Sequence, residues 1–234
     1  MQNKTSILCT RPIDENLIID AREADIDIDQ ITFIETVALE TPLLEQQINH
    51  SFSQAITIIF TSMNAVEAVA DRLNNQQPNW KIYCIGTTTN KLVAQYFGQQ
   101  NIVGTADDAT QLAQLIVTNN NTDKVIFFCG DQRRDELPNI LKTNNIEVKE
   151  MVVYHTISIP LKIEKKYDGI LFFSPSAAES FFTNNKIPKS TILFAIGNTT
   201  SNEIKKYTNN AIIVADKPGK EQLVTKMIAH YKAN

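Results

Sequence analysis

The sequence predicts an α/β fold with parallel sheets, from three observations. Short runs rich in Ile, Val and Phe recur along the 234-residue chain, and such runs are typical of strands buried on both faces. Segments of helical period lie between them, and alternation of this kind builds parallel sheets covered by helices. One such segment, near the C terminus, places five apolar residues on one helical face: Leu223, Val224, Met227, Ile228 and Tyr231. The chain also repeats itself, which predicts two similar domains.

Apolar runs give the predicted strands. In chain order they are SILCT (6–10), ITIIFT (56–61), KIYCI (81–85), KVIFFC (124–129), GILFFS (169–174), TILFAI (191–196) and AIIVA (211–215). Cys9, Cys84 and Cys129 lie in these runs and show no CxxC spacing. We therefore expect them to be small core residues, with no metal or redox role.

The repeat consists of matched segments at nearly constant offsets. At an offset of 112 residues, Ser62 pairs with Ser174 and Asn64 pairs with Ser176. At an offset of 111 residues, three more pairs follow: Gly86 with Gly197, Thr88 with Thr199, and Thr89 with Thr200. A fainter match, at an offset of 120, sets CTRPIDENL beside CGDQRRDEL. The chain thus contains two half-units, each present twice: 7–36 and 125–156, then 56–116 and 170–228.

The order of the two domains stays open at this point. They are either consecutive or interleaved, with the N-terminal piece completing the C-terminal domain, and periodicity does not distinguish these arrangements. In the interleaved case the chain crosses between domains near 34–37 and near 154–157.

Hydroxyl and amide side chains follow several predicted strands. We expect Asn64, Ser176 and Thr200 to be helix N-caps, because a Glu follows each by three residues, as in a capping box. The carboxyl ends of parallel strands share one edge of a sheet, where helix N-termini direct unpaired N–H groups at a ligand. Two such turns in each domain would place four helix starts around one cleft. The pattern predicts a ligand with several negative charges.

Other chemistries are disfavoured. Ser174 lacks the glycines of a G-x-S-x-G elbow, and the histidines stand in no recognisable triad order, which argues against a Ser–His hydrolase. The chain has no Gly-rich phosphate loop or dinucleotide fingerprint, so we expect no cofactor and no metal. A formal net charge of −4, without a dense Lys/Arg block, disfavours nucleic acid. No apolar run suits a membrane span or a signal peptide, so we expect a cytoplasmic protein.

Single residues add further candidates. Arg11, Arg133 and Arg134 follow predicted strands, either as partners for carboxylates or in solvated salt bridges. Tyr154 lies at the second crossing, as a packed aromatic or as a hydrogen-bond donor to a leaving hydroxyl. A phenol with a pKa of about 10 is protonated at neutral pH. His155 would point to the opposite face of a strand, and we expect it to be structural.

The ordered segments resemble those of the uroporphyrinogen-III synthase family, over nearly the whole chain. They are ILCTRP, IIFTSMNAVEAV, CGDQRRDELPNIL with VVYHT, ILFFSPSAAESFF, and AIGNTTSNEI with ADKPGKEQL. The resemblance implies two flavodoxin-like α/β domains joined by a two-stranded linker. Residues 1–36 and 157–234 would form one domain, and 37–156 the inserted one.

The resemblance also implies an activity and a site. The activity is cofactor-free cyclisation of hydroxymethylbilane, a polycarboxylate linear tetrapyrrole, to uroporphyrinogen III, a hydro-lyase reaction that inverts ring D. Tyr154 would assist departure of the hydroxyl. The implied substrate-binding residues are Arg11, Ser62, Asn64, Gly86, Thr88, Gly130, Ser174, Ser176, Ala177, Gly197, Thr199 and Thr200.

Two alternatives remain at this stage. A non-catalytic, two-lobed binding protein for an anionic small molecule would use the same helix starts, and a scaffold with a lost active site would retain them. For the enzyme we expect a monomer in transient contact with the preceding pathway enzyme, with no nucleic-acid or membrane partner.

Overall fold

The chain forms two compact units. The structure is a computed structural model that describes residues 4–119, 122–217 and 219–233, so Pro218, in one repeated segment, lies outside the described residues. Unit 1 consists of Met1–Glu35 and Ile157–Asn234, and unit 2 consists of Thr36–Thr156. Within the described ranges, every helix is too short or too polar to cross a membrane.

Unit 1 contains a five-stranded parallel sheet covered by helices. Its strands are β1 (Thr5–Cys9), β2 (Ile26–Gln30), β9 (Gly169–Phe172), β10 (Ile192–Ala195) and β11 (Ile212–Val214). Its helices are α1 (Glu15–Arg22), α7 (Pro175–Asn184), α8 (Asn198–Ile204) and α9 (Lys220–Lys232). The sheet order is β11-β10-β9-β1-β2. Numbered along the chain, this is the 2-1-3-4-5 order of flavodoxin-like folds.

Unit 2 contains a six-stranded sheet. The strands of this sheet are β3 (Ile34–Ala38), β4 (Thr57–Phe60), β5 (Lys81–Ile85), β6 (Ile102–Ala106), β7 (Lys124–Gly130) and β8 (Glu147–Ser158). The helices are α2 (Pro42–Phe52), α3 (Met63–Ala70), α4 (Thr87–Phe97), α5 (Ala109–Asn119) and α6 (Glu136–Thr143). The sheet order is β3-β8-β7-β4-β5-β6, and the pairs from β8 to β6 are parallel. The adjacent strands β3 and β8 contain the two points at which the chain passes between units.

Five strands of the unit 2 sheet are a circular permutation of the unit 1 sheet, and β3 is added as the sixth. Counted from β7 through β8, β4, β5 and β6, unit 2 also has the order 2-1-3-4-5. The half-unit matched at 7–36 and 125–156 supplies the first two strands of each sheet, and the other half-unit supplies the last three. The predicted α/β class with parallel sheets is confirmed.

The apolar runs found in the sequence are all strands, and the structure adds β2, β3, β6 and β8. Three of these additions lie at sheet edges and β8 is next to an edge, and polar or charged residues interrupt the apolar pattern of each. In β2, for example, Asp27 and Asp29 alternate with isoleucines. The cysteines are buried, as predicted, and burial raises the pKa of each thiol to about 11.

The predicted helix caps were wrong by two or three residues. Ser62 and Ser174, not Asn64 and Ser176, are the N-caps of α3 and α7, in extended backbone conformation. Pro175 explains the position in α7, because proline favours the first helical position, which makes the preceding residue the cap. Likewise α8 begins after its N-cap glycine, and Thr200 is its third residue and not a cap. The glutamates three residues on therefore form no capping box.

Candidate active site

Tyr154 and Ser62 meet at the carboxyl edge of the sheet in unit 2. Tyr154 lies in β8, and its hydroxyl donates a hydrogen bond to Ser62 Oγ at 3.2 Å. Ser62 Oγ also accepts the N–H of Ala65, at 3.2 Å, as the cap of α3. The phenol reaches across β7, which lies between β8 and β4. From β7 and β4 the chain turns to opposite sides of the sheet, and doubly wound sheets bind ligands at such switch points.

Gly130, the last residue of β7, provides the space that the phenol occupies. A Cβ atom added to Gly130 would lie 2.5 Å from Cε2 and 2.7 Å from the hydroxyl oxygen of Tyr154, which is closer than real side chains approach. Any other residue at this position would displace the Tyr154 ring. Gly130, for which the family resemblance implies a substrate-binding role, determines where Tyr154 lies.

A β-bulge orients Tyr154. The β7–β8 pairing runs Cys129 to Val152 and then Gly130 to Tyr154, so Val153 is an extra residue in β8. Val152 packs in the core on one face of the sheet, whereas Val153 and Tyr154 both pack in the core on the other face, with α3. In a strand without a bulge, side chains alternate between faces, so Tyr154 would lie on the same face of the sheet as Val152. The bulge therefore turns the phenol toward Ser62.

Asp131 is a part of this site that the sequence reasoning missed. Its N–H donates to the Tyr154 carbonyl at 3.2 Å, and its Oδ1 accepts the Thr156 N–H at 3.0 Å. Its Oδ2 lies 3.0 Å from His155 Nδ1, which is the donor because a carboxylate can only accept. The only sequence signal was an aspartate directly after a buried strand, which is common in surface turns.

The environment of Tyr154 keeps its hydroxyl protonated. Burial raises the pKa of the phenol above its usual value near 10, and the nearby Asp131 carboxylate adds to the increase. Hydrogen bonding by Ser62 and Asn64 acts in the opposite direction but does not cancel it. Asn64, in the first turn of α3, therefore lies beside the phenol. At neutral pH Tyr154 is a hydrogen-bond donor.

The glycine-led helix starts differ between the units. Gly86 precedes α4 with φ +76° and ψ 160°, a conformation that is essentially restricted to glycine. Gly197 precedes α8 with φ −173°, which any residue adopts. Thr88 and Thr199 are exposed at these turns, whereas Thr200 is only 2% exposed and packs inward. The exposed pair is available to a ligand, and Thr200 is not.

Arg11 lies beside the start of α7 in unit 1. Its guanidinium is 5.9 Å from the centre of the Phe173 ring, and its Nε is buried with no hydrogen-bond partner in the described part of the chain. Ser174 Oγ accepts the N–H of the buried Ala177 at 3.1 Å and lies 3.3 Å from Ser176 Oγ. A cation thus adjoins a helix N-terminus at the switch point between β1 and β9, which favours an anion there.

Arg133 has protein partners. Its guanidinium pairs with Asp135 and Glu150. Of the two possibilities left open for this arginine, the structure shows the salt bridge.

Fold and site together define a class. This is a two-domain α/β protein whose permuted, doubly wound units carry hydroxyl-bearing helix starts at their switch points, one with a half-buried phenol. The family model for uroporphyrinogen-III synthase HemD matches residues 20–225. The chain belongs to the uroporphyrinogen-III synthase family.

Relatives agree with this assignment. The porphyrin biosynthesis protein HemD of Ruminiclostridium josui is 26% identical over 96% of this chain, which spans about half (48%) of that protein's length. The uroporphyrinogen-III synthase of Saccharomyces cerevisiae is 25% identical over 71% of this chain and 73% of its own length.

Solved structures share the fold. A mutant uroporphyrinogen III synthase of Thermus thermophilus has a TM-score of 0.69, at 12% identity, over 98% of this chain and 99% of its own. The Helicobacter pylori enzyme has a TM-score of 0.68, at 19% identity, over 97% of this chain and 99% of its own.

Proposed function

We propose that this chain is a uroporphyrinogen-III synthase that closes hydroxymethylbilane to uroporphyrinogen III, with loss of water and inversion of ring D. One observation carries the proposal: a half-buried, protonated Tyr154 hydroxyl fixed at the switch point of unit 2, 3.2 Å from the cap of α3. Membership of the family supports the substrate class.

Tyr154 would act on the leaving group. The hydroxyl of the substrate leaves as water when the phenol transfers a proton to its oxygen, and the resulting conjugated cation is attacked by the substituted carbon of ring D. The proton that the pyrrole carbon loses at the final ring closure restores the phenol. The pKa of Tyr154 is raised, so the phenol stays a donor through neutral pH. Positioned proton donors contribute about 10²- to 10⁴-fold to rate. The protein must also hold ring D for inversion, which is a positioning effect.

The carboxylates of the substrate would bind at helix starts. Ser62 Oγ accepts the Ala65 N–H, which leaves the earlier N–H groups of α3 without an intrahelical acceptor. In unit 1 the same role falls to the start of α7 with Arg11. Among the threonines, the proposal relies on Thr88 and Thr199, which are exposed.

The test is the isomer of the product. Purified protein, without added cofactor, is given hydroxymethylbilane, and uroporphyrinogen III is separated from the spontaneously formed isomer I. We expect isomer III, and Tyr154→Phe should lower kcat by about 10²-fold. Tyr83→Phe is the matched control, because it removes a buried phenol that accepts from Asn119 at 2.9 Å in the same sheet. Accumulation of isomer I alone, with binding of the substrate, would instead favour the non-catalytic binding protein.

The proposal extends to the location, the oligomeric state and the partner of the protein. We propose a cytoplasmic monomer that receives its substrate through transient contact with the preceding pathway enzyme. Light scattering of the purified protein tests the monomer. An isomer III yield that rises when the two enzymes are mixed, at constant substrate supply, tests the contact.

A further inference from the structure

We propose that Asp131 is the positioning residue for Tyr154. It holds the bulged segment of β8 in the register that turns the phenol toward Ser62. The catalytic consequence of this inference rests on the proposed function, whereas the placement itself rests on hydrogen bonds alone.

Asp131 forms hydrogen bonds with Tyr154 and with the two residues that follow it in β8. The Asp131 N–H binds the Tyr154 carbonyl at 3.2 Å, and the carboxylate binds the next two residues, the His155 ring and the Thr156 N–H, both at 3.0 Å. No other residue in the described ranges bonds to all three. Asp131 thereby fixes the part of β8 that directly follows the bulge.

The bulge creates the need for such a residue. A bulge leaves one residue unpaired and disrupts the ladder locally, and β7 ends at Gly130, opposite Tyr154. The Thr156 N–H therefore lies beyond the last ladder pair, and Asp131 Oδ1 supplies the acceptor that β7 does not. A shift of one residue in register would send Tyr154 to the opposite face of the sheet.

Unit 1 provides an internal comparison, because it is built from the same half-unit. At an offset of 120 residues, Gly130 and Asp131 correspond to Thr10 and Arg11, and the counterpart of the tyrosine is Ile34. Thr10 Oγ1 donates to a β9 carbonyl at 2.8 Å, so unit 1 has a hydrogen-bonded hydroxyl side chain where unit 2 has a glycine. The segment of that half-unit that corresponds to β8 forms two strands, β2 in the sheet of unit 1 and β3 in the sheet of unit 2. The aspartate is therefore present in the unit that has the tyrosine and the glycine, and absent from the matched positions of the other copy.

The experiment compares Asp131→Ala with Asp131→Asn. Asparagine keeps an acceptor for the Thr156 N–H, and alanine does not. Asp168→Ala is the matched control: the carboxylate of Asp168 accepts a backbone N–H at 2.8 Å, but at the amino end of β9 in unit 1.

The first readout needs no substrate. We expect an NMR cross-peak between the Tyr154 ring and the Gly130 Hα in the wild type, in Asp131→Asn and in Asp168→Ala. In Asp131→Ala it should weaken several-fold or vanish. A full-strength cross-peak in folded Asp131→Ala would overturn the proposal. If Asp131→Ala does not fold, hydrogen exchange of the wild-type amides provides the test. The Thr156 N–H should then be as protected as the N–H groups in the β8 ladder. Fast exchange of the Thr156 N–H would contradict the proposal.

The second readout is the kinetics of isomer III formation. We expect Asp131→Ala to lower kcat about as much as Tyr154→Phe, with KM within about twofold, and to add little in the Tyr154→Phe background, because coupled residues are non-additive. Asp131→Asn should stay within about threefold of the wild type. Equal damage by both Asp131 variants, or full additivity with Tyr154→Phe, would refute the catalytic part. A wild type that makes no isomer III would refute the proposed function, and the cross-peak and exchange would still decide the placement.

Discussion

A methyl group at Gly130 should displace Tyr154. In Gly130→Ala the new Cβ would lie 2.5 Å from Cε2 and 2.7 Å from the hydroxyl oxygen of Tyr154. Non-bonded carbon atoms prefer separations of about 3.5–4.0 Å, so the ring must retreat by about 1 Å. Overpacking of this kind costs about 1–3 kcal/mol, and the lost bond to Ser62 adds about 0.5–1.5 kcal/mol. We expect the free energy of unfolding to fall by about 1.5–4.5 kcal/mol.

The assay is urea unfolding followed by the fluorescence of Trp80, the only tryptophan of the chain and 2% exposed in the core of unit 2. Isomer III formation is measured on the same samples. A displacement of about 1 Å in a reacting group can cost about 10²-fold in rate, so we expect a loss of at least tenfold. In a Tyr154→Ala background the methyl group meets no ring, and most of the stability cost should disappear. Equal losses in both backgrounds would show that Gly130 acts through something other than the ring.

Three further predictions use the internal repeat and one ion pair. Gly86→Ala should destabilise by about 1–3 kcal/mol because of its positive φ, whereas Gly197→Ala, at the matched position, should change stability by less than about 0.5 kcal/mol; urea unfolding compares them. Ser174→Ala should cost about 0.5–2 kcal/mol as the loss of a cap, and Ser176→Ala clearly less, by the same measurement. The pKa of Asp29 is lowered, chiefly by a hydrogen bond from a lysine, so this group stabilises the folded state above the ordinary aspartate pKa near 4, and the stabilisation is lost as pH falls through the lowered value. The stability deficit of Asp29→Asn at pH 7 should therefore shrink in acid unfolding measured toward pH 2, and a deficit independent of pH would contradict this.

The sequence was sufficient for the central strands and for the repeat. Runs such as KVIFFC are apolar on both faces and predict buried parallel strands directly, and the half-unit offsets predict two related sheets. Edge strands were missed because their pattern alternates, as in β2, or contains a glycine, as in β6. These segments are strands because they pair with a neighbouring strand, and a local sequence pattern does not show that pairing.

Some residues of the candidate site follow from the sequence and others do not. Tyr154 and the hydroxyls at strand ends were identified as candidates, but the capping boxes were assigned two or three residues too late, because a Glu spacing alone does not locate a cap, whereas Pro175 locates that of α7. The bulge and Asp131 could not be predicted from a local pattern. Both depend on the register between β7 and β8, where one extra residue decides which face receives the phenol.

The repeat separates what the fold requires from what the site requires. Both units keep the serine that caps the helix after the third strand of the repeated order, so this cap belongs to the common framework. Only unit 2 combines a glycine at the strand end, an aspartate after it and a tyrosine on the neighbouring strand, whereas unit 1 places Arg11 at the position of that aspartate. The three residues of unit 2 depend on one another: the glycine provides space, the aspartate fixes the register, and the tyrosine uses both. Since the framework folds without them in unit 1, their joint presence in unit 2 is explained by the placement of one hydroxyl group.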